Sequence, residues 1–350
     1  MLLSNLFSLP TFQAVELTAV INRIEFQPGM LGAFGQALFV RSSATTRQIA
    51  MAQSEGTLSL IPTSPVGAPP VELELKPGDL RTFNIHRLAK GSTLMAESMT
   101  GFMQMPDFQQ VATVQTEFAT RGGKIRTEHE FTREHMRFGA VQGRVLDADG
   151  SVLDDFWEAW GRPMPAWIDL PLDDPGANLR AITREIMRDV QRNSKGGWIP
   201  GRTQLHALCG EEFFTRLVTH PKVEQAYLGW SAAADLRNQI DDAFPFGGVV
   251  WHDYRGTDDG TTMAIPGDEA RLFPVGGNEV FREIFGPAEF QPWINLPGQE
   301  IFALTIPDRD RNAWVRFEGY AYPLYVCVRP EMLRRARIGN GAAGRLKGAK

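Results

Sequence analysis

The sequence predicts an α+β protein with a mixed α/β lobe, and three observations carry that prediction. The stretch Val71-Glu72-Leu73-Glu74-Leu75-Lys76 alternates strictly, so apolar side chains take one face of a strand and charges the other. Gln109 to Arg137 has helical spacing of its apolar residues. Beyond Asp173 helical and strand-like segments alternate.

In chain order, residues 1–45 mix short apolar stretches with Pro10, Pro28 and Gly29, and read as an arm rather than a domain. From Thr46 to Leu60 the chain is polar, with alternation around Ile49, Met51, Leu58 and Leu60. The tip Pro62–Pro70 follows, then the alternating strand with Val71, Leu73 and Leu75, a break at Pro77-Gly78-Asp79, and renewed alternation at Phe83 and Ile85. Together these predict a long two-stranded hairpin. Two strands alone are marginal in water, so this hairpin needs cover from elsewhere. Its own chain offers no obvious partner, which makes Leu58, Leu60, Val71, Leu73, Leu75, Phe83 and Ile85 the candidate contacts with a neighbouring copy.

Val111, Val114, Phe118, Ile125 and Met136 mark the apolar points of the long helix, and Gly122-Gly123 predicts a kink or split in it. Asp147-Ala148-Asp149-Gly150 between Arg144-Val145-Leu146 and Val152-Leu153 signals a hairpin. Leu179, Ile182, Ile186 and Val190 predict a helix with Asp173 and Asp174 near its positive end. Leu205–Cys209 reads as a buried strand, followed by helices near Glu211–Val218 and Lys222–Tyr227. Gly248–Trp251, Ala270–Phe273, Ile301–Ile306 and Tyr322–Val328 read as strands. The tail 339–350 is small, polar and basic, and reads as flexible.

Composition bounds the function. A chain of 350 residues, 43% hydrophobic and 22% charged with net charge −5, can bury a large core and is not a basic nucleic-acid binder. The 34 glycines and 23 prolines imply many turns and loops. Cys209 and Cys327 fit a reducing compartment, each as a small buried apolar side chain. The opening residues lack a basic start and are broken by Ser8 and Pro10, which argues against a signal peptide and for synthesis in the cytoplasm.

The candidate chemistry is thin. His129 and His135 lie six apart, about 600° of helix, and so face different ways. Arg133 stands where a zinc-protease helix would need its second histidine. The expectation is a charged, solvated helix face. His206 and Cys209, three apart in a strand, point to opposite faces, as do the adjacent His252 and Asp253. The arginines between Arg329 and Arg337 read as a solvated helix end. No catalytic residue, metal site or cofactor is expected.

The order of elements resembles the major capsid protein fold of tailed phages, shared with herpesvirus shells and encapsulins, and within it the lambda-like major capsid protein E family. The likeness is carried by Leu80–Leu88, similar to the returning strand of the family's extended loop, and by Glu134–Gly143, similar to the end of its spine helix. Phe281–Ala288 and Tyr322–Pro330 look like its late segments. Gly122-Gly123 departs from an uninterrupted spine.

The resemblance implies an arm at 1–45, an extended loop at 46–95 and a peripheral domain at 96–172. An axial domain at 173–299 and a return to the peripheral domain at 300–338 follow. It also implies self-assembly as hexamers and pentamers into an icosahedral virion shell around double-stranded DNA touched weakly and non-specifically. Scaffolding and portal proteins, and a decoration protein where a shell carries one, are the implied partners. Two other readings stand beside it: an encapsulin-type shell with enzyme cargo, and an enzyme of unusual α+β fold motivated by His129, His135 and Cys209.

Overall fold

The computed structural model describes residues 14–23, 29–53, 79–99, 107–228, 243–256, 263–311 and 313–339. The chain opens on helix α1 (Ala14–Arg23) and a single turn α2 (Met30–Ala33). Strands β1 (Phe39–Ser43), β2 (Gln48–Gln53), β3 (Asp79–Asn84) and β4 (Leu88–Met95) precede the 36-residue helix α3 (Asp107–Gln142). Next come β5 (Arg144–Leu146), β6 (Val152–Asp155), the turn α4 (Phe156–Ala159) and β7 (Trp167–Leu170). The second half holds α5 (Leu179–Arg192), β8 (Gln204–Cys209), α6 (Glu211–Val218), α7 (Pro221–Leu228), β9 (Ala243–Phe246), β10 (Val249–Asp253) and β11 (Glu269–Val275). It closes with β12 (Phe281–Phe285), β13 (Phe302–Pro307), β14 (Trp314–Ala321), β15 (Pro323–Cys327) and β16 (Arg334–Ile338).

A six-stranded sheet in the order β7-β16-β11-β8-β10-β9 forms one lobe. Its centre is β8, whose residues after Gln204 are all buried, as a strand covered on both faces requires. Helix α6 enters the connection from β8 to its parallel neighbour β10 and places Phe213 against Trp251. Helix α5 buries Leu179, Thr183, Ile186 and Val190 as one stripe and is capped by Asn178, whose side chain accepts from the Ala181 amide. The two acids expected at its start lie before that cap, and Asp173 instead pairs with Arg216 of α6.

Two three-stranded sheets, β1-β12-β15 and β13-β14-β4, flank α3. The double glycine does not break this helix. Each glycine costs about 1 kcal/mol relative to alanine, but Phe118, Ile125 and Met136 on either side are buried and hold the two halves in line. At about 1.5 Å per residue the helix is about 54 Å long.

One further expectation is corrected, and two gain detail. The described part of residues 1–45 packs onto the rest of the chain. Leu17 and Ile21 of α1 are buried, Thr18 exchanges hydrogen bonds with Ala303 of β13, and β1 pairs in parallel with β12. The 173–299 interval is not one hydrogen-bonded unit, because the six-stranded sheet also takes β7 and β16 from outside it while β12 joins the other sheet. The arginine-rich end is strand β16 rather than a solvated helix. Arg334 is buried and bonds Asp189, and buried Arg329 donates to the Ser194 and Lys195 carbonyls after α5.

Candidate functional site

The root of the predicted hairpin is present. β2 and β3 pair antiparallel from Gln48↔Asn84 to Gln53↔Asp79. Leu58, Leu60, Val71, Leu73 and Leu75 lie outside the described residues. Phe83 and Ile85 turn out to serve their own chain. Phe83 is buried 5.9 Å from Phe156 and 5.8 Å from Trp160, ring centre to ring centre, and the Trp160 indole donates to the Cys327 carbonyl at 3.0 Å. Ile85 packs so closely on Gly286 that a β-carbon there would lie 2.6 Å from its Cδ1. A neighbour therefore cannot reach Phe83. Gln53 donates to Glu331 and His86 pairs with Asp154 at 2.7 Å, so the root is tied to the body at four places, Gln53, Phe83, Ile85 and His86. The alternation that identified the strand could not say which of its residues stay at home.

The charged face of α3 is the larger surprise, because it is buried rather than solvated. His129, Glu130, Arg133, Glu134 and Arg137 are all inaccessible. Their common partner is Glu283 of β12. Its Oε1 accepts from Arg133 at 2.7 Å, Arg137 at 3.0 Å and the Tyr325 hydroxyl at 2.8 Å, while Oε2 accepts from Arg41 at 2.8 Å. Arg133 also binds Glu130 at 2.5 Å, and Arg137 binds Glu134 at 3.2 Å. Burial alone would raise the Glu283 carboxyl, but Arg137, Arg133 and Arg41 hold it down to about 2. Glu134 additionally accepts from the Leu31 and Gly32 amides at 2.6 and 3.0 Å, satisfying the open amides of α2. Gly29 leaves it room, since a β-carbon there would sit 2.5 Å from the Glu134 carboxyl carbon.

This cluster fastens α3 to β1, β12 and β15. It has the chemistry of a clamp: every carboxylate is saturated by guanidinium or amide donors or pushed toward its neutral form, as burial does to Glu130. The sequence carried a signal in the interleaved spacing Glu130, Arg133, Glu134, Arg137, which lines one helix stripe. The partner strand Phe281–Phe285 was the missing half.

His129 is buried against the Gly319 carbonyl at 3.2 Å and burial drops its ring to about 4, so it stays neutral. His135 sits on another face, half-buried. Cys209 and Cys327 are free and buried, and burial pushes both thiols up. One pairing escaped the sequence. The parallel register of β8 and β10 stacks His206 on His252 with their ring nitrogens 2.9 Å apart, and Phe34 packs edge-on to both. Burial first, then His252, lowers His206 to about 4. Among the described residues no group of three or more His, Cys, Asp or Glu is placed to hold a metal ion. No described helix is long and apolar enough to cross a membrane.

A long helix between small sheets, beside a mixed lobe, is a fold found in phage capsid proteins. The fold is similar to the mature capsid of bacteriophage PhiM1, with a TM-score of 0.51 and 11% identity, covering 91% of this chain and 89% of that one. It is equally similar to a putative capsid protein of a prophage of E. coli CFT073, with a TM-score of 0.51, 14% identity, and 93% and 99% of the two chains covered. The family described as phage major capsid protein E matches residues 13–338, and the chain belongs to that family. Among relatives, the major capsid protein of Salmonella phage Felix O1 is 26% identical over 240 residues, 60% of this chain and 65% of that one. The major capsid protein of Pseudomonas phage KPP10 is 27% identical over 205 residues, 53% and 58% of the two chains. The matched region thus spans less than two thirds of either relative.

Proposed function

We propose that this chain is the structural subunit of an icosahedral phage head that encloses double-stranded DNA, and that it is not an enzyme. The family match across residues 13–338, on a fold shared with phage capsid subunits, carries the reading. The buried charge cluster supports it, since it spends the most polar stretch of α3 on rigidity. Hexamers and pentamers are the assembly units, built with scaffolding and portal proteins and, where the shell carries one, a decoration protein. The net charge of −5 suits a wall that holds DNA without gripping it. The long helix and small sheets act as the peripheral domain and the six-stranded lobe as the axial one. Assembly takes place in the host cytoplasm.

Within this reading the loop between Gln53 and Asp79 leaves its anchored root to clamp a neighbour through Leu58, Leu60, Val71, Leu73 and Leu75. Burying three such side chains contributes about 5 kcal/mol per subunit before ordering costs. A closed lattice multiplies such a contact. Leu73→Asp with Leu75→Asp is the test. The expected product is a soluble subunit that melts cooperatively by circular dichroism and forms no shells. A double variant that assembles normal heads removes the loop from this role, and one that unfolds shows that the loop completes its own core.

A further inference from the structure

Arg271 of β11 and Arg335 of β16 stand directly opposite each other in an antiparallel pair, and Arg335 is level with Trp167 of the next strand, β7. Residues so paired share one face of a sheet, where like charges repel. The two guanidinium groups lie 4.8 and 4.5 Å from the centre of the Trp167 ring, which Arg337 also overlies at 5.8 Å. Burial first, and then neighbouring arginines against the pull of Glu269, lower both Arg271 and Arg335 below the ordinary arginine value. The sheet thus carries two adjacent cations whose charge is only partly offset.

Both line a cavity of about 500 Å³ at the joint between the six-stranded sheet, the end of α3 and the β5–β6 hairpin. Arg144 and Arg334 line it too, and no carboxylate does among the described residues. Arg335 makes no ion pair among the described residues. Its Nε donates to the Pro165 carbonyl at 2.7 Å, and its Nη1 meets the Met164 sulfur at 3.0 Å, a weak acceptor. Arg271 gives its Nε to Gln142 at 3.3 Å and its Nη2 to Glu269 at 2.5 Å, while its buried Nη1 has no acceptor. Each fork is therefore fixed in place by the protein and keeps donors unspent. Much of the remaining wall is apolar, with Phe138, Val141, Leu146 and Val152.

These features select a ligand. A carboxylate has two oxygens and fills one guanidinium fork, whereas a phosphoryl group has three and close to two negative charges, enough for a fork from each strand. The volume lies in the range of about 300–1,000 Å³ that small organic ligands fill, which leaves space for an apolar group beside the anion. A DNA duplex keeps its bases stacked within the helix and would leave the apolar wall uncovered. We propose that this cavity binds a small phosphate monoester, with phosphoryl oxygens shared between Arg271 and Arg335 and an apolar ring on the wall of Phe138, Val141, Leu146 and Val152.

Titration calorimetry on unassembled full-length subunit tests this apart from shell formation, with phenyl phosphate and inorganic phosphate as probes. Phenyl phosphate should bind at least about tenfold more tightly than inorganic phosphate, because its ring is buried. Arg335→Gln and Arg271→Gln should each weaken phenyl phosphate at least about tenfold, as loss of a charge-assisted bond implies. Arg282→Gln removes a charge paired with Glu279 outside the cavity and should leave binding within about twofold. Val152→Asp changes an exposed residue of the wall, sets a carboxylate beside the ring, and should weaken binding at least about tenfold. It decides the matter where an arginine variant melts abnormally. Absence of phenyl phosphate binding, equal affinity for the two probes, or binding that survives Val152→Asp and the arginine variants overturns the proposal. An equal loss in Arg282→Gln overturns it by showing an effect of overall charge. A 5′-phosphorylated DNA duplex that binds through Arg335 where phenyl phosphate does not overturns it as well.

Discussion

Replacing Glu283 by glutamine asks whether the buried charge cluster holds the subunit together. The side chain keeps its shape and loses its charge. An amide oxygen in place of Oε1 can still accept from Arg133, Arg137 and Tyr325, but the amide nitrogen then faces Arg41, donor against donor. Arg133 and Arg137 keep Glu130 and Glu134, yet four carboxylate bonds shrink to weaker neutral ones in a buried site. Breaking one side of a buried pair costs about 3–5 kcal/mol. In a chain of this size that shifts the melting temperature by about 4–7 °C. The assay is circular dichroism melting of unassembled subunit at pH 7, since assembly would add its own stabilisation. The sign with pH follows from the folded carboxyl sitting at about 2 against an ordinary 4.5. Wild-type stability from this group is complete above 4.5 and drains as pH falls toward 2, whereas the variant lacks that slope. A variant that melts within about 2 °C of wild type, with the same acid slope, refutes the clamp.

Two glycines in α3 should respond in opposite directions. Gly123→Ala meets open space and should stabilise by about 1 kcal/mol. Gly139→Ala puts a β-carbon 2.5 Å from the Arg144 carbonyl oxygen and should destabilise by about 1–3 kcal/mol, both read from denaturant midpoints. Equal effects would mean that β5 does not press on the helix there. The histidine pair predicts an acid response: His206 falls to about 4 from an ordinary 6.5, so its share of stability is full above 6.5 and is lost as pH drops to 4. That share is about 3 kcal/mol, and His206→Gln should flatten the stability profile across this window. An unchanged profile would show that His206 does not carry it.

Much of the fold was legible because its elements carry strong local patterns. The apolar stripe of α5, the buried run of β8 and the Asp147–Gly150 turn each placed an element within a residue or two of its observed bounds. Long-range pairing was not legible. Gly122-Gly123 signalled a break that burial of Phe118 and Ile125 overrides. Glu283 and Arg133 are 150 residues apart, so a face full of charges looked solvated when it was internally neutralised. Arg329–Arg337 looked like a helix end because arginine density does not reveal that α5 and the turn after it supply Asp189 and the backbone carbonyls. The hairpin's alternation identified its strands, while the split between anchored Phe83 and the candidate contacts between Gln53 and Asp79 depends on Trp160 and Phe156, which no local pattern links to it.

The central claim, that this chain builds a closed shell, is tested most directly by electron microscopy with light scattering on full-length protein purified with the scaffolding protein proposed for it. The account predicts closed particles of megadalton mass with pentameric and hexameric clusters on their surface, and protein of this chain alone as the wall. A monodisperse monomer in both measurements, with the scaffolding protein present, would contradict it.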